Sequence, residues 1–301
     1  METAPAVKPA AAEPDKRAEL RDRLAVSVLL LPFVFLAVQV GGLLFLLAVL
    51  CILLIAAVEF GGLFVRMHQR PSTLLLVAGV GLLVAAEQFP ALNRWGVLPA
   101  LLVLAALTWH LVDYERGAPA AGTDFVVTMG GIFYLGLLGR CFVQLRAAPD
   151  GMWWLLTALG GVFLADTGAY GFGRAFGRRF IHRPFAPRLS PKKTWEGFAG
   201  SVLIGALAGA LLAWSWQIAV GPASLLNWQT GMLLGAMVGV VGQMGDLGVS
   251  MFKRQAGVKD TGAVMAGHGG ALDRIDSWLV VMAVAYYYTQ LLAVLAVGLW
   301  R

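Results

Sequence analysis

Charged residues crowd into one stretch near the C-terminal end: Gly245-Asp246, Ser250, Lys253-Arg254, Lys259-Asp260, Gly267-His268-Gly269-Gly270 and Asp273-Arg274-Ile275-Asp276-Ser277. From Asp246 to Asp276 there are four acids and four bases. Helical spacing puts Asp246, Ser250 and Lys253 on one face, and Asp273 with Asp276 on another. Carboxylates of Asp246, Asp273 and Asp276 converging at the ends of two adjacent helices would repel one another unless a cation sat among them. Hard oxygen ligands select Mg²⁺, which typically keeps one or two carboxylates and completes its shell with substrate phosphates. The interleaved Lys253, Arg254, Lys259 and Arg274 would carry the remaining phosphate charge, because neutralisation and positioning dominate phosphoryl-group chemistry. The plainer alternative is a salt-bridged network that stitches helix ends together.

A second charged segment, residues 174–193, has seven bases and no acid. Ser190-Pro191 reads as a helix N-cap followed by Pro at the first helical position. That would put Lys192 and Lys193 in a first turn, where they oppose the helix dipole unless an anion such as phosphate binds there. Otherwise the segment is a basic loop facing lipid headgroups. Asp166-Thr167-Gly168-Ala169-Tyr170 leads into it and Glu196 opens the helix beyond it. Acids at membrane depth are expensive and point to function, although Asp166 also has Arg174 within reach as a simple ion-pair partner. Glu59 and Glu87 lack such a setting.

Other chemistries find no footing. His68, His110, His182 and His268 are scattered, and Cys51 and Cys141 lie in apolar runs away from them, so zinc and disulfide readings fail. Gly171-x-Gly173 is followed by Gly177 rather than by dinucleotide-binding spacing, and there is no Walker A run. His268, framed by glycines, would either touch a phosphate or a base or serve the turn.

These residues must be held by membrane helices. The chain has 301 residues, 59% hydrophobic and only 13% charged, with a net charge of +6 and a mean hydropathy of +0.75. Soluble domains carry roughly 25% charge, so a water-soluble globule and a disordered chain are both excluded. A polar tail, residues 1–24, holds ten charges. The apolar run from Ala25 to Val65 is far longer than the roughly 7–15 residues of a signal peptide's core. It reads as two spans turning near residues 39–42, since a span takes about 20 residues. Further apolar stretches near 71–89, 96–112, 124–144, 152–172, 197–220, 229–249 and 276–299 complete an all-α polytopic membrane protein of about nine spans. Five belong to an N-terminal region, 25–150, and four to a C-terminal catalytic region, 151–301, with cytosolic loops 174–193 and 250–275.

With the N-terminus in the cytosol, 19 of the 23 Lys and Arg residues fall on that side, as the positive-inside rule requires. An odd number of spans then puts Arg301 on the opposite side. Gly205-xxx-Gly209 and Gly231-xxx-Gly235-xxx-Gly239 are small-residue faces for close helix packing.

The stretch Ser250–Asp276, read as S-M-F-K-R-x4-K-D-x-G-x5-H-G-G-x-L-D-R-I-D, resembles the C-terminal motif of the phosphatidate cytidylyltransferases, or CDP-diacylglycerol synthases. Gly245-Asp246-Leu247, the block Ser190–Gly197 and Asp166–Tyr170 resemble the same family, and the likeness covers about residues 160–280. Met265, Ala266 and Ala271 depart from it, all as apolar exchanges beside the charged positions. The resemblance implies transfer of the cytidylyl group of CTP to phosphatidic acid, giving CDP-diacylglycerol and pyrophosphate in phospholipid biosynthesis.

It also implies roles. Asp246, Lys253, Arg254, Lys259, Asp260 and Arg274 would be catalytic. Asp166, Ser190, Lys192, Lys193, Glu196, Ser250 and His268 would bind substrate. Asp246, Asp273 and Asp276 would hold Mg²⁺, with room for a second, monovalent cation. The implied setting is the cytoplasmic membrane with the site facing the cytosol. The implied partners are CTP, phosphatidic acid, membrane lipids and a second copy of the chain, with no nucleic acid. Two other readings are open: a CTP-dependent isoprenoid-alcohol kinase, which would release CDP rather than pyrophosphate, and an ion-coupled transporter, which would carry its acids at the midplane of spans.

Overall fold

The computed structural model describes residues 32–89, 91, 96–222, 224–262 and 269–298. A helical stretch at 32–40 leads into eight helices: α1 Gly42–Arg66, α2 Thr73–Ala85, α3 Leu98–Glu115, α4 Ala121–Ala147, α5 Gly151–Phe176, α6 Trp195–Val220, α7 Trp228–Gln255 and α8 Leu272–Gly298. Seven of the eight are long and apolar enough to cross a membrane. They are apolar around most of their circumference, which suits helices surrounded by lipid and by one another.

The expected turn at 39–42 is present. Gly41 and Gly42 both take positive φ, 69° and 53°, and break the apolar run in two. Arg146 at the end of α4 closes that break: its Nε donates to the Val38 carbonyl at 2.7 Å and its Nη2 to the Gln39 carbonyl at 3.0 Å. These are end-of-helix carbonyls that would otherwise lack partners.

The expected span at 71–89 is shorter than the sequence pattern implied. α2 has 13 residues, about 20 Å at 1.5 Å per residue, against about 30 Å of hydrocarbon. The Ser72 hydroxyl caps it by accepting from the Leu75 amide at 3.4 Å, after Pro71, and the helix stops before the polar pair Glu87-Gln88. Residues 25–31 of the first expected span, like the tail, lie outside the described residues, and 32–40 are helical. α4 carries a π-helical turn at Ile132–Leu137.

The small-residue faces pack on each other within the chain. A Cβ on Gly205 would collide with the Gly235 carbonyl, and one on Gly209 with that of Gly231. The Ser201 hydroxyl adds a hydrogen bond to the Gly239 carbonyl at 3.0 Å. These faces of α6 and α7 are therefore filled internally and are not the surface on which a second copy would sit. At the other end of α7, Gly245 lies against the Asp276 carbonyl and the Ser277 Cα, which draws the charged tips of α7 and α8 together.

Candidate active site

The charged tip of α7 presents Gln243, Asp246, Ser250 and Lys253 along one stripe, at i, i+3, i+7 and i+10. Lys253 and Arg254 fall in its last turn, where cations suit the dipole, and Asp273 falls in the first turn of α8, where an anion does. The two helix ends meet through a short ion pair, Lys253 Nζ to Asp273 Oδ1 at 2.6 Å, with both side chains nearly buried (12% and 10% exposed). The other oxygen of Asp273 accepts from the Thr261 amide at 2.8 Å, the Thr261 hydroxyl at 3.0 Å and the Gly270 amide at 3.2 Å. Both oxygens of Asp273 are thus occupied by the protein itself.

Asp246 belongs to a second network. Its Oδ2 meets Lys193 Nζ at 2.6 Å and its Oδ1 accepts from the Ser250 hydroxyl at 3.3 Å. Lys193 also donates to Gln243 Oε1 at 2.7 Å, and Gln243 Nε2 donates to Asp166 Oδ1 at 3.2 Å. The 177–194 loop, α5 and α7 are joined through this one chain of contacts. Asp246 lies within electrostatic reach of both Asp166 and Asp276, and at 39% exposure it is open to a ligand. Asp276 accepts from the Ser277 amide at 2.5 Å.

Lys193 is delivered by a turn, not by a helix. The helix that follows the basic loop starts at Trp195, and its N-cap is Thr194, whose hydroxyl accepts from the Gly197 amide at 3.1 Å. The expectation that Ser190-Pro191 starts the helix is therefore corrected, and Lys192 and Lys193 lie before its first turn. The reason is local: the Ser190 amide donates to the Ala186 carbonyl at 2.9 Å and its carbonyl accepts from the Lys193 amide at 3.1 Å. Both backbone groups serve a tight turn, and Arg178 Nη2 takes the Pro191 carbonyl at 2.9 Å.

The loop is anchored from below by Glu196. Its carboxylate accepts from the amides of Arg178 at 3.1 Å, Phe180 at 2.9 Å and Ile181 at 2.9 Å. Phe185 stacks on Phe198 and meets Trp195 edge-on, with centroid distances of 4.9 and 4.8 Å. Glu196→Gln leaves one acceptor oxygen for three amides and turns an NH₂ toward donors. The expected outcome is faster proteolysis within 178–183 and a raised KM for an anionic substrate; a variant as protease-resistant as wild type would refute the anchor.

The remaining expected site residues are more peripheral. Lys192, Lys259, Asp260 and Arg274 are exposed around the same end of the bundle, and Arg254 Nη1 donates to the Val258 carbonyl at 3.4 Å. Asp166 does not pair with Arg174, which instead donates to the Tyr170 hydroxyl at 3.0 Å. His268, with Met265 and Ala266, lies outside the described residues. Ala271 is fully buried, and its carbonyl accepts from the first-turn amides of Arg274 and Ile275.

Asp246 and Asp273 serve different partners within the protein. Among the described residues no three His, Cys, Asp or Glu side chains are grouped to hold a metal ion. Asp273 faces Lys253 and the loop amides instead. Asp246 and Asp276 lie within electrostatic reach of each other, and two carboxylates fit an ion that shares its shell with substrate phosphates.

Sequence reasoning missed Gln243, Thr261 and Glu59. Gln243 was legible in principle, three residues before Asp246 on the same face. Thr261 was not, because its contacts depend on the path of a loop. Glu59 carried one signal, an acid inside an apolar span. The structure shows its carboxylate at the start of α8, accepting from the Leu272 amide at 2.9 Å.

Residues 21–292 match the family model described as the cytidylyltransferase family. The chain is 32% identical over 262 residues to a phosphatidate cytidylyltransferase of Synechocystis sp., covering 68% of this chain and 84% of that protein. It is 31% identical over 244 residues to the enzyme of that name from Staphylococcus epidermidis, covering 80% and 88%. With the Bacillus subtilis protein of the same name the identity is 34% over 166 residues, covering 55% and 58%.

Proposed function

Because the chain belongs to the cytidylyltransferase family, we propose that it transfers the cytidylyl group of CTP to phosphatidic acid, forming CDP-diacylglycerol and releasing pyrophosphate. The observation that carries this reading is the pairing at one end of the bundle: Lys193 with Asp246 and Lys253 with Asp273. The half-exposed Lys193–Asp246 pair can exchange partners with phosphates and cations, while the more buried Lys253–Asp273 pair keeps the two helix ends together without leaving a bare buried charge.

In the reaction an oxygen of the phosphatidate monoester attacks the α-phosphorus of CTP, and the bond from that phosphorus to the β-phosphate oxygen breaks. The monoester is already largely ionised near neutral pH, so no base has to remove a proton. The obstacle is repulsion between two polyanions, and the protein's task is to hold them in line. Lys193 sits where its ammonium can turn from Asp246 to a phosphate oxygen, and Gln243 keeps it there. Lys192, Arg254, Lys259 and Arg274 supply positive potential around the same end. Mg²⁺ held by Asp246 and Asp276 with the CTP phosphates would stabilise the departing pyrophosphate.

Asp273 in this reading does not bind the ion; it fixes Lys253, Thr261 and Gly270. The acyl chains stay in the bilayer and the headgroup reaches the helix ends from the side. The positive-inside bias supports a cytosolic orientation, which is where CTP would be met.

The test is to supply the purified protein in lipid with CTP labelled at the α-phosphate, phosphatidic acid and Mg²⁺. Label is expected in the lipid fraction with equimolar pyrophosphate, and excess chelator is expected to stop both. Lipid that stays unlabelled, or CDP released with an isoprenoid alcohol, would overturn the assignment. Turnover persisting in chelator would remove the metal.

A further inference from the structure

Glu59 is the only acid in α1. It lies seven residues before the Arg66 end, about 10 Å into the helix at 1.5 Å per residue, and it is only 6% exposed. Burying a carboxylate there is costly unless its oxygens are satisfied. They are, by a single distant segment. Oε1 accepts from the Ala271 amide at 3.0 Å, and Oε2 from the Leu272 amide at 2.9 Å and the Thr261 hydroxyl at 2.9 Å. Leu272 is the first residue of α8, and Ala271 before it has no side-chain oxygen. Glu59 therefore does from across the bundle what an N-cap side chain normally does locally, and its charge meets the positive end of the α8 dipole.

The same contacts reach the candidate active site. Thr261 bridges the two carboxylates, its hydroxyl lying 2.9 Å from Glu59 and 3.0 Å from Asp273 while its amide donates to Asp273 at 2.8 Å. Two glycines make room for the Glu59 head: a Cβ on Gly262 would collide first with Glu59, and one on Gly270 with Thr261 and Glu59. The loop is thus shaped around this carboxylate on both sides.

We infer that Glu59 is a positioning residue for the reaction: it latches Thr261, Ala271 and the start of α8 onto α1, and so holds Asp273 on Lys253 and Asp276 within electrostatic reach of Asp246. The inference rests on the proposed cytidylyl transfer at this site. The N-terminal helices then contribute to catalysis directly, through one side chain, and are more than a membrane anchor.

Glu59→Gln keeps the size of the side chain but offers one acceptor to three donors. It is expected to lower kcat by about 10- to 100-fold, the usual effect of removing a group that orients functional residues, with KM for phosphatidate little changed. Hydrogen exchange should rise at the amides of Ala271 and Leu272 while α5 and α6 stay protected. Gly262→Ala should reproduce the loss, because its methyl displaces the Glu59 head. In a Glu59→Ala background Gly262→Ala should add no further loss, since the methyl then occupies vacated space.

Unchanged kcat in Glu59→Gln overturns the latch. So do losses of Glu59→Ala and Gly262→Ala that multiply, or exchange that rises uniformly through the bundle. Wild-type protein that makes no lipid-linked cytidylate would sink the functional reading instead, and the exchange pattern would still decide the latch.

Discussion

Asp246→Asn is expected to cut CTP-dependent turnover severely while the bundle remains folded and inserted. The substitution keeps the shape of the side chain and its hydrogen bonds to Lys193 and Ser250 can largely re-form. Its ion pair is half open to solvent, 22% and 39% exposed, and exposed pairs contribute about 0–1 kcal/mol to stability. The thermal midpoint should therefore move little. Function is another matter, because an amide does not hold Mg²⁺ as a carboxylate does and leaves the Lys193 charge unbalanced. Loss of one electrostatic element aimed at the reacting phosphates corresponds to about 100- to 1,000-fold in kcat. Steady-state release of pyrophosphate checks this, and turnover near wild type in Asp246→Asn would remove Asp246 from the site.

Lys253→Met acts on stability and activity together. The ammonium is buried against Asp273, and removing one partner of a buried pair costs about 3–5 kcal/mol because the other charge is stranded. Asp273 keeps its amide donors from Thr261 and Gly270, so the lower end of that range applies. Denaturation in detergent should show the drop, with kcat falling as the loop loses its anchor. Lys253→Arg, which retains the charge but not the compact geometry, should recover most of the stability. A Lys253→Met protein as stable as wild type would mean that Asp273 is held by the loop amides alone.

Much of the site is legible in the sequence itself. Asp246, Ser250 and Lys253 share a helical stripe because 3.6-residue periodicity is local, and Asp273 and Asp276 sit one turn apart for the same reason. The partners were not local. Nothing in the spacing says that Lys253 goes to Asp273 and Lys193 to Asp246, because the loop path decides which ammonium reaches which carboxylate. Ser190-Pro191 looked like a helix start because Ser and Pro favour those positions, yet Thr194 is an equally good cap and the 186–190 turn had already engaged Ser190.

Glu59 shows the same limit at greater range. Its burial cost was legible, but a partner more than 200 residues away was not. The seven helices long enough to cross a membrane follow directly from apolar length, and α2 is shorter than its apolar stretch because that composition continues past the residues that stay helical.

The backbone collisions that a methyl would cause along Gly205–Gly235 and Gly209–Gly231 also bear on mechanics. A seam that tight has no slack: it cannot open by degrees, and parting it would forfeit its contacts all at once. α6 and α7 then behave as one stiff board, and a two-tailed lipid cannot slide between them. The gate through which such a lipid trades places with its product has to be sought along the other edges of the bundle, where larger side chains can swing aside and return.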